Sequence, residues 1–195
     1  MELEIQVGRK KDILDRATSL FEKNGYTASS MRDLAKDVGI EAGSLYSHFS
    51  GKEAILKSIC FKMANDYLNS LDPILELDLS PKDKLELAIQ SHIRVLTKDP
   101  KASSVFQHDW KYMTGENLAE FLKMRQQYEE GFQKILKDGL SSKEFFAEDE
   151  KFLLLTILSA INWTSQWYQA DGKFKPDQIA KMLSNILIKG ISKAK

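Results

Sequence analysis

The chain is poor in cysteine and proline, and each shortage excludes something. One cysteine, Cys60, in 195 residues cannot form an intrachain disulfide and fits a reducing compartment. Four prolines leave long helices possible. The longest apolar run, Phe152 to Trp163, has twelve residues, where a membrane span needs roughly 20. Residues 1–7 lack the apolar segment of a secretory signal, so the sequence reads as cytoplasmic with no membrane partner. Neither sign of charge dominates: 28 basic residues balance 28 acidic ones. An anionic partner must therefore be met by local placement of groups. There is no glycine-rich phosphate loop, G-x-S-x-G or H-E-x-x-H, so no enzyme and no cofactor are expected.

What is present is helical periodicity. Ile13, Leu14, Ala17, Leu20 and Phe21 form an amphipathic stripe over residues 11–24, stopped at Gly25. Ser29 or Ser30 caps a second helix running through Met31, Leu34, Ala35 and Val38 to Gly39. A third short helix is expected over Ile40 to Tyr46. Ser50 and Glu53 match a capping box, opening a longer helix through Ile55, Leu56, Ile59, Met63 and Leu68 toward Pro73. After a loop around residues 77–81, helices are expected from Pro81 to Asp99, around Val105 and Phe106, from Leu118 to a stop at Gly139, from Asp149 to Tyr168, and from Pro176 to Gly190. The fold class is all-α. Residues 1–52 form a three-helix N-terminal domain, residues 53–195 a larger helical domain, and a helix over 52–70 links them.

Two short helices joined at Gly39 are a helix-turn-helix signal, because the turn needs a residue that tolerates positive φ. Val38, Ile40 and Leu45 are spaced to pack inward on Phe21 and Leu34. That leaves Glu41, Ala42, Gly43, Ser44 and Ser47 facing outward, slim enough to enter a major groove and able to meet base edges. The amides following Ser29 and Ser30 suit a phosphate. Lys52, opening the next helix, would add its charge there, and Arg9, Lys10 and Lys11 would precede the first helix as an arm.

The run Ile13 to Ala17, Leu20–Phe21, Gly25–Tyr26, Ser30 to Ala35, Val38–Gly39, Gly43 to Tyr46, His48–Phe49 and Lys52–Glu53 resembles the N-terminal domain of TetR-type transcriptional regulators over about residues 9–57. The resemblance implies a dimer that binds double-stranded, palindromic operator DNA through a three-helix domain. It places Tyr46 and His48 just past the recognition helix as phosphate contacts, and puts Arg32 among the DNA-binding residues. It further implies a ligand-binding domain that dimerises through the last two helices, here Asp149 to Tyr168 and Pro176 to Gly190. The tract Ile161 to Tyr168 with Asp171 and Gly172 resembles regulators of fatty-acid or sterol degradation, which implies an acyl-CoA-like effector.

The middle helices carry the side chains for an apolar pocket: His92, Phe106, Trp110, Met113, Phe121, Met124, Arg125 and Tyr128, with Arg125 or His92 as a polar handle if buried. Trp163 and Trp167, at i and i+4, line either that pocket or the dimer interface. The function expected is a ligand-responsive repressor released by a small apolar or acyl-CoA-like molecule. Two alternatives remain: a helical interaction module without DNA binding, and a metal or redox sensor built on Cys60, His92 and His108, whose spacing suits no metal.

Overall fold

The computed structural model describes residues 2–146 and 149–192, with side chains from residue 8 onward. Ten α-helices account for nearly all of it: α1 (Glu2–Asn24), α2 (Met31–Val38), α3 (Ala42–His48), α4 (Lys52–Leu75), α5 (Pro81–Lys98), α6 (Pro100–His108), α7 (Gly115–Ser141), α8 (Glu150–Asn162), α9 (Thr164–Trp167) and α10 (Pro176–Ile191), with a 3₁₀ turn at Trp110–Tyr112. No named strand occurs among the described residues, which hold one isolated bridge, Phe145 to Ser192. The all-α expectation is met.

The chain forms two compact units. One is Met1–Met63 with Lys101–Phe121, the other Ala64–Pro100 with Leu122–Lys195. The division expected at residue 52 therefore differs from the packing, because the segment 101–121 folds with the N-terminal helices. In the first unit Ile13, Ala17 and Phe21 of α1, Leu34 of α2, Leu45 of α3 and Ile55, Leu56 and Cys60 of α4 are buried to within 1% of complete. Each such aliphatic side chain adds about 1.5–3 kcal/mol by leaving water. Gly25 and Gly39 take φ of 82° and 75°, the left-handed values that the two turns require. In the second unit Leu85, Ile89 and Ile93 of α5, Phe132 and Leu136 of α7, and Ile157 and Ile161 of α8 form the core with Ile179 and Ile188 of α10.

Several boundaries differ from the sequence expectation. Arg9, Lys10 and Lys11 do not precede α1 but lie within it and are exposed; Lys10 places its ammonium 5.2 Å from the Phe49 ring centroid. The recognition helix starts two residues later, at Ala42, and runs through His48, so Tyr46 and His48 belong to it rather than follow it. Pro73 does not end α4, which continues to Leu75, where Lys84 caps the terminal carbonyl at 2.8 Å. Gly139 does not stop α7, which continues to Ser141. The tract from Asp149 to Tyr168 is not one helix: it breaks at Trp163, whose carbonyl accepts from Gln166, three residues on, at 3.0 Å. At Gly131 α7 comes close to α4: a β-carbon there would stand 2.7 Å from Leu71 Cδ2.

Candidate nucleic-acid interface and effector cluster

Helix α2 is set by its ends. Ser30 Oγ accepts the Asp33 N–H at 3.1 Å, and Asp33 Oδ2 accepts the Ser30 N–H at 2.9 Å, a reciprocal cap. The Ser30 hydroxyl, which also donates to Oδ2, and the Ser30 N–H together hold the Asp33 carboxyl below its usual range. At the other end Gly39 returns its N–H to Lys36, and Ile40 returns its N–H to Ala35. Arg16 of α1 donates to the Asp37 carbonyl at 2.9 Å, fastening this end to the first helix. Leu45 is fully buried, so α3 is anchored by one side chain and turns its other faces outward. Gly43, Ser44, Tyr46 and Ser47 are exposed, as are Glu41 and Arg32, while Ala42 and His48 are half-buried. Beyond its chain neighbours and its own helix's backbone, no atom lies within 4 Å of where a β-carbon on Gly43 would be. The Ser47 hydroxyl donates to the Ser44 carbonyl at 2.7 Å, which leaves its lone pairs for an outside donor.

Three candidates stand otherwise than expected. Ser29 is buried, and its hydroxyl donates to the Gly25 carbonyl at 2.9 Å, so it stabilises the turn and is withdrawn from any partner. At Ser30 the cap occupies two of the groups offered to phosphate, its own N–H and that of Asp33. Lys52 points inward. Its Nζ donates to the carbonyls of Tyr26 and Ser29, both at 2.7 Å, and sits 4.2 Å from the Tyr26 ring centroid. Glu53 does not close a capping box on Ser50. Its carboxylate accepts the Thr114 N–H and the Asn117 side-chain amide, each at 3.0 Å, and is held below its usual range by them. Tyr26 is the centre of this group. Its ring meets Phe21 edge-on at 5.3 Å and stacks on Tyr112 at 5.4 Å and 19°. Beside it Asp109 is a buried carboxyl that desolvation raises, against His108, the Tyr26 backbone, Lys111 and Lys52 nearby. Neither Asp109 nor Tyr112 shows a DNA-binding pattern in sequence; no local signal marks them.

The pocket candidates fall into two groups. In the first unit Phe121, fully buried, meets Phe106 edge-on at 5.5 Å, Trp110 at 6.0 Å and Phe61 at 6.2 Å, and Met113 is buried. In the second, His92 Nδ1 shares a hydrogen bond of 3.0 Å with the Tyr128 hydroxyl and stacks on Tyr67 at 4.7 Å. Burial drives His92 down to about 3, with the Asn162 side chain pulling weakly the other way, so the imidazole is neutral. Arg125 is not the buried handle: it is half-buried and pairs with Glu129 one helical turn away, at 3.7 Å. Met124 is half-buried. Trp163 and Trp167 line no core. They are 66% and 44% exposed, as Phe152 at 72% and Ile186 at 68% also are.

Cys60 is buried, and desolvation pushes its thiol up to about 12, which removes the thiolate that redox or metal chemistry requires. Among the described residues no three His, Cys, Asp or Glu side chains come together to hold a metal ion, and no helix is long and apolar enough to cross a membrane.

Two family models match the chain: "Bacterial regulatory proteins, tetR family" over residues 13–59, and "Tetracyclin repressor-like, C-terminal domain" over residues 78–191. The HTH-type transcriptional repressor KstR2 of Rhodococcus jostii is 25% identical over 187 residues, covering 95% of this chain and 92% of that protein. The fatty acid metabolism regulator protein of Bacillus subtilis is 25% identical over 181 residues, covering 92% and 93%. The crystal structure of AibR, in complex with isovaleryl coenzyme A and operator DNA, shares the fold with a TM-score of 0.83 at 21% identity, covering 92% of this chain and 98% of that one.

Proposed function

This chain belongs to the TetR family of bacterial regulatory proteins, and we propose that it is a cytoplasmic repressor that binds operator DNA as a homodimer and is released by an acyl-CoA-like effector. The observation that carries the reading is the outward face of α3: Gly43, Ser44 and Ser47 stand clear of the core while Leu45 alone holds the helix down. A slim, hydroxyl-bearing helix suits a major groove, with Ala42, Gly43 and Ser44 at base edges and Arg32, Tyr46 and His48 toward phosphates.

Dimerisation supplies the second half-site. Phe152 and Leu155 on α8 and Met182 and Ile186 on α10 are exposed apolar side chains whose burial against a second copy would remove them from water. Two recognition helices roughly 34–36 Å apart then meet successive major grooves of a palindrome. Effector binding releases DNA only if it favours the state whose spacing no longer fits, which requires unequal affinity for the two states. The acyl-CoA class is supported by one relative's name, the fatty acid metabolism regulator protein, and by the isovaleryl coenzyme A bound to AibR.

The test is to recover and sequence the fragments this protein retains from its own genomic DNA, then measure their release by acyl-CoA thioesters of graded chain length, with the matching free acids as controls. A palindrome in the retained fragments and release by thioesters alone is the expected result. Retention of no fragment above background would leave a helical interaction module instead.

A further inference from the structure

The group around Tyr26 permits a step beyond, and resting on, the DNA-binding reading. Lys52 stands at the first position of α4, where its sequence context assigns it to a phosphate. The ammonium has three donors, and two are bonded to the Tyr26 and Ser29 carbonyls at 2.7 Å, with the Tyr26 ring 4.2 Å away. On Tyr26 converge two residues distant in sequence: Tyr112, stacked at 5.4 Å, and the buried Asp109, whose carboxyl lies close enough to Tyr26 to feel its backbone. Glu53 ties the same segment down further along, at Thr114 and Asn117. The loop held by these contacts, residues 25–30, ends at Ser30, the cap of α2. Wherever the loop is placed, α2 follows, and through the rigid turn at Gly39 so does α3.

We propose that Lys52, Tyr26, Asp109 and Tyr112 are positioning residues that fix the reading helix at its docking angle, and that Lys52 makes no phosphate contact. The reading head is then completed by residues 109–114, and residues 1–52 lack two of the four groups that set its geometry. A lysine whose ammonium is held by two carbonyls and a ring, and which touches no phosphate, displaces no condensed cation from the duplex when DNA arrives. It therefore leaves no trace in the salt dependence of binding.

The experiment uses the full-length protein and a DNA fragment it retains from its own genome, with affinity measured by fluorescence anisotropy at several salt concentrations. Circular dichroism checks that each variant is folded at the assay temperature. Lys52→Met and Tyr112→Ala should each weaken binding by about tenfold while leaving the slope of log affinity against log salt unchanged. Tyr112→Phe, which keeps the stack, should bind as wild type. Lost phosphate contacts would instead flatten the slope by about 0.9 each, hence by roughly two across a dimer. That flattening in Lys52→Met, or wild-type affinity in Tyr112→Ala, overturns the proposal. If Lys52→Met does not fold, Tyr112→Ala against Tyr112→Phe decides. Failure of the wild-type protein to retain any fragment overturns the DNA-binding reading itself, a result distinct from either.

Discussion

The ring of Phe145 occupies the space that a side chain on Gly139 would need: a β-carbon there would come within 2.1 Å of Phe145 Cδ2. The chain reverses after α7 through Lys143, whose φ is 63°, and the Phe145 N–H then donates to the Gly139 carbonyl at 3.0 Å. Gly139 is thus required by packing in the last turn of α7. Gly139→Ala should cost about 1–3 kcal/mol in chemical denaturation, the range for overpacking a filled core. Gly43→Ala, with open space around it, should leave stability unchanged or raise it by up to about 1 kcal/mol.

The exposed face of α3 predicts a separation of folding from function. Gly43→Asp and Ser44→Asp project into solvent, so their melting temperatures should stay close to wild type. Each adds a carboxylate where the duplex presents phosphates and base acceptors. Retention of genomic fragments should fall to background in filter-binding assays for both.

A dimer through α8 and α10 predicts that Phe152→Glu and Ile186→Glu give monomers. Both positions are more than two-thirds exposed, at 72% and 68%, so neither change buries a charge in the single chain. Sedimentation equilibrium should show the mass halved relative to wild type, and DNA affinity should fall with it because one half-site is lost.

His92 predicts an acid-side loss of stability. Its folded-state pKa is depressed to about 3, from an ordinary value near 6.5. Below pH ~6.5 the unfolded chain takes up a proton that the folded chain refuses, so stability is present above that pH and falls as the pH drops. The groups facing the ring, Tyr67, Tyr128 and Asn162, carry no charge in that range. Between pH 6 and 4 the slope should approach about 1.4 kcal/mol per pH unit for this one proton. His92→Gln should remove that component when unfolding free energies are compared across the same window.

Cys60 predicts silence toward thiol reagents. With its thiol raised to about 12 and buried, the native protein at pH 8 should not react with Ellman's reagent over an hour, and one thiol should appear on adding denaturant. Fast reaction in the native state would reopen the redox alternative.

Sequence by itself determined the all-α class, the helix-turn-helix and its outward face, because these depend on local rules. A 3.6-residue apolar period, a serine N-cap and a glycine at positive φ act within a few residues of one another. Arg16 falls within the motif, but its bond to the Asp37 carbonyl spans 21 residues and carries no periodic signal. What only the tertiary structure decided are the contacts between distant segments. Lys52 has the position of a phosphate ligand, yet its ammonium turns to two carbonyls and a ring that are adjacent only after α1, α2 and α4 pack. Likewise Trp163 and Trp167 satisfy any apolar pattern, and whether such a side chain lies in a core or on a face is set by which neighbour arrives, not by the spacing along its own helix.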